Sequence, residues 1–137
     1  MSQQEIDELA WPIVSSPLKS GEGQILVREF RWHGPFQGNN VLVTASPGFI
    51  WDGASIPRVA WSLIGSPFRG HYQQAALVHD KINVSHRAFF RGMSRGVNRK
   101  FADDLFRHIM KQDGTDEDLA DQMWLAVRLG GSHAWRT

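Results

Sequence analysis

Residues 71–84 read HYQQAALVHDKINV, and this stretch decides how the second half of the chain is built. Ala75, Val78, His79 and Ile82 recur at spacings of three, four and seven, the period of a helix that buries one stripe. The stripe includes a histidine. An imidazole on an apolar line needs a partner for each ring nitrogen, so this helix must meet polar groups inside the fold. Asp80 lies about 100° further round the helix, which leaves His79 as the inward-facing member of the pair.

Downstream, residues 85–96 (SHRAFFRGMSRG) are basic and glycine-containing and read as a solvated loop. Asn98 can cap the next helix, where Phe101, Leu105 and Ile109 form one apolar ladder and Ala102, Phe106 and Met110 a second. Asp103 and Asp104 flank those ladders. If the two helices pack antiparallel, one of these carboxylates reaches His79 and fixes its tautomer. Arg99, one turn before Asp103, offers a surface ion pair instead. Gly114 ends the helix, and Thr115-Asp116-Glu117-Asp118 opens the last one with acids in its first turn. That helix turns Leu119, Met123, Ala126 and Val127 inward and stops at Gly130-Gly131, with Trp135 beyond.

Upstream, residues 25–32 (ILVREFRW) form an imperfect strand ended by Gly34-Pro35. Gln37-Gly38-Asn39-Asn40 is turn chemistry, and Val41 to Ala45 is a second strand stopped by Ser46-Pro47-Gly48. A loop, FIWDGASIP at 49–57, leads to a short helix over 59–64, with Pro57 at its start and Gly65-Ser66-Pro67 at its close. Residues 1–24, including Ser15-Ser16-Pro17, read as an N-terminal arm or lead-in. The expected fold is α+β: a small antiparallel β element, a hairpin, followed by a bundle of about three helices, all in one compact domain over 25–135.

Composition narrows the function classes. A chain of 137 residues with 42% hydrophobic and 21% charged residues holds one core. Fifteen Lys+Arg against fourteen Asp+Glu give a net charge of +1, which argues against nucleic acid held by bulk electrostatics. There is no cysteine, hence no disulfide or thiolate chemistry, and no apolar run long enough for a membrane span. The first residues lack a signal-peptide pattern, so the expected compartment of synthesis is the cytoplasm. Six Trp, thirteen Gly and six Pro favour a loop-rich domain pinned by large aromatics.

Three clusters can carry chemistry. In the 49–57 loop, Asp52 and Ser55 near Gly53 either set an Asx turn or present a metal ligand and a hydroxyl. Ser55 lacks the G-x-S-x-G elbow of a hydrolase nucleophile. His79-Asp80 and Asp103-Asp104 supply an imidazole and carboxylates. The order His71, His79-Asp80, Asp103 also matches metal-dependent phosphohydrolases in outline, with His71 two turns from His79. H-E-x-x-H, P-loop and dinucleotide motifs are absent.

In this order and spacing the clusters resemble the domain-of-unknown-function family numbered 1353, small proteins of tailed phages and prophages. The residues that carry the likeness are FIWDGASIP at 49–57, then Ala75 to Asp80, then Arg99 to Asp103 with Phe106, and late Gly130 and Trp135. The likeness spans about residues 41–135. One position departs: the family has an aromatic, typically Tyr, four residues after the histidine, where this chain has Asn83. The resemblance implies a phage origin and selects Asp103 over Asp104 as the partner of His79. A fainter similarity is to secreted phospholipases. It implies His79 as general base, Asp103 as its orienting group, and Asp80 with carbonyls of the 49–53 loop as a Ca²⁺ site. The disulfides and glycine-rich calcium loop of those enzymes are missing here.

Two functions stay open. One is a small hydrolase of the host envelope, acting on peptidoglycan or lipid, with His79, Asp103 and Ser55 catalytic. Asp52, His79 and Asp80 would then hold a divalent cation, calcium or zinc. The other is a non-enzymatic virion or tail-assembly protein in which the same cluster is a buried structural network. The expected partners are other phage structural proteins or the host envelope, with oligomers allowed and nucleic acid not expected. The protein would be made in the host cytoplasm and packaged in the virion or released at lysis.

Overall fold

Two antiparallel sheets and four α-helices make up the described part of an α+β computed structural model, which covers residues 13–18, 23–53, 55–65, 67–68 and 70–135. The smaller sheet has the order β1-β2-β5, with β1 Ser15–Pro17, β2 Gln24–Leu26 and β5 Ile50–Trp51. The larger has the order β3-β4-β6-β7, with β3 Phe30–Phe36, β4 Asn39–Ala45, β6 Arg87–Phe90 and β7 Met93–Gly96. The helices are α1 Arg58–Ile64, α2 Gln73–Ser85, α3 Arg99–Gln112 and α4 Glu117–Gly130. A single hairpin with about three helices therefore undercounts the fold. Of the expected arm, residues 1–12 and 19–22 lie outside the described residues, while Ser15–Pro17 pairs with β2 as a strand rather than forming a turn.

The strand expected over 25–32 is two strands. Leu26 is buried in the small sheet and Phe30 in the large one, and the chain changes sheet at the exposed corner Val27-Arg28. Nor does Gly34-Pro35 end β3. The Trp32 indole lies over Gly34, where a Cβ would sit 3.0 Å from Trp32 Cζ2. Pro35 is tolerated because β3 is an edge strand and the residue faces outward. Gln37 (φ 51°) and Gly38 (φ 79°) turn the chain with two left-handed residues, the geometry that matches strand twist in a tight hairpin. Arg91 (φ 50°) and Gly92 (φ 82°) repeat it between β6 and β7, so the basic stretch is a second hairpin, not a loop.

The helices pack as their ladders require. Asn98 Oδ1 accepts the Phe101 amide at 2.8 Å to start α3, and Asp116 Oδ2 accepts that of Leu119 at 3.4 Å to start α4. A 3₁₀ turn over Gly70–Tyr72 precedes α2. This helix is central, packed against α3, β4 and β5, and Ala75 to Asp80, Ile82 and Asn83 are all buried. A helix enclosed on several sides has no single inward stripe. His79 and Asp80 are therefore both interior, against the expectation that only one could be. No helix among the described residues is long and apolar enough to cross a membrane.

Candidate functional site

The 49–57 loop meets α2 through a residue that only glycine suits. Gly53 has φ +72°, and a Cβ there would stand 2.7 Å from Trp61 Cζ2 and 3.0 Å from Pro67 Cγ. Aromatic packing fixes the loop from outside, Phe68 meeting Trp51 and Trp61 edge-on. The Ile56 amide closes a turn onto the Gly53 carbonyl at 2.9 Å, and Trp61 Nε1 donates to the Ile56 carbonyl at 3.2 Å. Held this way, the loop points the Gly53 amide and the Ser55 hydroxyl at Asp80. The amide donates to Oδ2 at 2.8 Å, and Ser55 Oγ donates to Oδ1 in a very short contact.

From Ser55 the line continues inward. Ser55 Oγ lies 2.8 Å from His79 Nδ1, and His79 Nε2 lies 2.6 Å from Asp103 Oδ1. The other Asp103 oxygen accepts from Arg128 Nη1 at 2.9 Å and from Arg99 Nη1 at 3.3 Å. Arg99 also donates to the carbonyls of Val127 at 3.1 Å and Arg128 at 3.3 Å, tying the start of α3 to the end of α4. Ser55, His79, Asp80 and Asp103 are only 3%, 1%, 5% and 1% exposed.

Proton counting constrains this line. Three contacts in series, Asp80 to Ser55, Ser55 to His79 and His79 to Asp103, need three protons. Ser55 brings one and a neutral imidazole another. Burial pushes the Asp80 carboxyl above the ordinary carboxylate range, against the Ser55 and Gly53 donors and the nearby His79, which lower it; the Asp52 charge adds to the rise.

The structure thus brings together Ser55, His79 and Asp103, and adds Asp80 to them. His79 selects Asp103; the neighbouring Asp104 turns to the rim, where Lys100 Nζ binds it at 2.6 Å and Trp124 Nε1 at 2.8 Å. Arg99 does pair with Asp103, but with a buried carboxylate rather than across the surface. His71 lies elsewhere, against Gly114, with its Cε1 3.4 Å from where a Gly114 Cβ would be. Asn83, at the departing position, donates to the His79 carbonyl at 2.8 Å. Sequence reasoning missed Arg128 and the Gly53 amide. A cation near the end of α4 was visible, but nothing local aims it at α3.

A cation does not fit here. Both ring nitrogens of His79 are engaged, and the loop turns an N–H and an O–H to Asp80 where the expected calcium site calls for its carbonyl oxygens. Asp52 is half-buried beside Gly23, and among the described residues no group of three or more His, Asp or Glu is disposed to hold a metal ion. As a nucleophile–base–carboxylate line, Ser55–His79–Asp103 has hydrogen-bonding distances, with the ring nitrogens assigned in the reverse of the usual serine-hydrolase sense.

The family described as a protein of unknown function, DUF1353, matches residues 25–127, and the chain belongs to it. An uncharacterized protein, y4jT, of Sinorhizobium fredii (strain NBRC 101917 / NGR234) is 44% identical over 50 residues. That match covers 31% of this chain and 15% of the relative, so the chain spans only a small part of that protein's length. No solved structure matches the chain.

Proposed function

We propose that this member of the DUF1353 family is a non-enzymatic assembly component in which Ser55, His79, Asp80 and Asp103 form a buried polar staple. The observation that carries the reading is that these side chains satisfy one another, at 5% exposure or less, and turn both imidazole nitrogens to protein partners. The staple joins the 49–57 loop to α2, α3 and α4 and holds the surfaces those elements present. Exposed Val59 and Leu63 on α1, and Leu125 and Leu129 on α4, are i, i+4 apolar pairs suited to protein contacts. The tailed-phage setting implied by the resemblance makes a virion or tail part the natural role.

The test is stability. Replacing His79 with Gln leaves Asp103 facing its arginines without the imidazole and costs about 3–5 kcal/mol in urea denaturation. Ser55→Ala leaves Asp80 and a ring nitrogen short of a partner and costs about 1–3 kcal/mol. A staple that can be removed without loss of stability is no staple.

One observation favours a second reading. The spacings of 2.8 Å from Ser55 to His79 and 2.6 Å from His79 to Asp103 are those of an acyl-transfer hydrolase, here directed at esters or amides of the host envelope. Hydrolysis of peptidoglycan or phospholipid that vanishes in a fully folded Ser55→Ala variant would establish it in place of the first.

A further inference from the structure

The chain leaves α4 through Gly130-Gly131, and both glycines are set by what they pass. A Cβ at Gly130 would stand 2.8 Å from Pro57 Cγ. One at Gly131 would stand 2.5 Å from the Val127 carbonyl oxygen and 3.5 Å from that of Ser55. The exit from α4 is therefore laid on the 49–57 loop, at the residue whose hydroxyl meets His79. Ser132–Ala134 then form a 3₁₀ turn, and the strap reaches Trp135. Its ring lies flat on that of His86, centroids 3.9 Å apart and planes 1° apart.

Both ends of this strap meet one line of α2. His79 and Asn83, four residues apart, share a helix face, and both are buried. His86 folds back onto that line, its Nε2 3.1 Å from the Asn83 carbonyl, which fixes the imidazole as a platform. The hold on the chain changes along its length. Arg99 pins α4 as far as Arg128 through the carbonyls of Val127 and Arg128. Beyond Gly131, the amides of Ala134 and Trp135 bond to the carbonyls of Gly131 at 3.1 Å and Ser132 at 3.3 Å. Those bonds close the turn on itself and do not tie it to the rest of the fold. The half-buried Trp135, stacked on His86, seats the far end.

We propose that Gly131–Trp135 is a lid over the Ser55–His79 contact, hinged at Gly130-Gly131 and latched by the stacking of Trp135 on His86. Unstacking swings the strap off the 49–57 loop and admits solvent to Ser55 while α2, α3 and α4 stay folded. Paired glycines give the hinge its backbone freedom. This goes beyond the staple: the polar line is closed by a cover that lifts separately, whether or not Ser55 has any chemistry of its own.

The experiment uses the absence of cysteine from the chain, which makes an introduced thiol a clean probe of opening. Ser55→Cys and, as reference, Ala120→Cys at a buried site of α4 are labelled with iodoacetamide across low urea concentrations. Position 55 should label roughly tenfold faster than position 120 or more, with a urea slope well below that of global unfolding. Trp135→Leu, which keeps apolar cover without a ring to stack, should speed position 55 about fivefold while its shallow slope persists. Position 120 should speed up by the same factor, because the stack lost on opening is also lost on unfolding. Trp135→Phe should return both rates toward wild type. Equal rates and full urea slopes at the two positions would overturn the lid, since Ser55 would then open only with the whole molecule. A fast, shallow rate at position 55 that Trp135→Leu leaves unchanged would overturn the latch. If Ser55→Cys does not fold, deuterium exchange of the Gly53 and Ile56 amides, in the wild-type chain and in Trp135→Leu, is read by the same criteria.

Discussion

His79 and His108 sit on neighbouring helices, and their surroundings differ in kind. Around His79 both ring nitrogens have partners, and a serine, two aspartates and two arginines complete the line. His108 on α3 lies instead among aromatics, with ring centroids 5.0 Å from Phe36 and 6.3 Å from Trp32. Its Nε2 is buried with no partner among the described residues, and burial pushes its pKa below the usual histidine value despite a hydrogen bond to the Pro35 backbone. Burial alone does not give a histidine a network. What distinguishes His79 is that four separate segments each deliver a polar atom to it or to its partners.

The contrast breaks first at Asp103. Asp103→Asn removes the charge that balances Arg99, Arg128 and the imidazole, and should cost about 3–5 kcal/mol in urea denaturation. A loss under 1 kcal/mol would put His79 in the same class as His108.

A smaller effect follows from Asp80. Its carboxyl is raised in the folded state, so folding favours the protonated form. The corresponding stability is fully present below the unfolded value, about 3.9, and is lost as pH rises through the folded value. Asp80→Asn should abolish that decline, read as the difference between variant and wild-type denaturation midpoints across a pH series. His108 titrates the other way. Its lowered pKa means that the unfolded chain takes the proton more readily, so stability falls as pH drops below about 6.5. His108→Phe should change stability little at pH 8 and remove part of the acid-side loss. An unchanged acid limb would show that His108 is not its source.

The smallest effect belongs to Lys100, which is 62% exposed where it pairs with Asp104. Lys100→Ala should cost less than about 1 kcal/mol, in the same melts that register Asp103→Asn. Adjacent carboxylates on one helix would then differ severalfold in worth by the direction they face.

Much of this was legible in the residues. Capping by Asn98, acids at the start of α4, the short helix ahead of Gly65, the strand ending at Ala45 and a carboxylate of α3 reaching His79 follow from local chemistry and helical period, while the choice of Asp103 over Asp104 came from the family resemblance. What escaped did so for physical reasons. The β6–β7 hairpin shows no alternation because β7 is exposed along its whole length, so no buried face imprints a period of two. Pro35 looked like a terminator, since only the sheet order reveals that β3 is an edge. Asp80 was set off the inward face because one helix read alone does not disclose that it is surrounded. Arg128 reaches Asp103 across 25 residues, a contact that no spacing rule encodes.

The clamp on Asp103 also governs how the molecule opens. Arg128 belongs to α4, and Arg99 of α3 holds the carbonyls of Val127 and Arg128. Peeling α4 away would therefore strip a guanidinium from an interior carboxylate. Fraying of that helix is tied to disruption of the centre, and its C-terminal amides should exchange with deuterium as slowly as those flanking His79, moving with them as one cooperative unit.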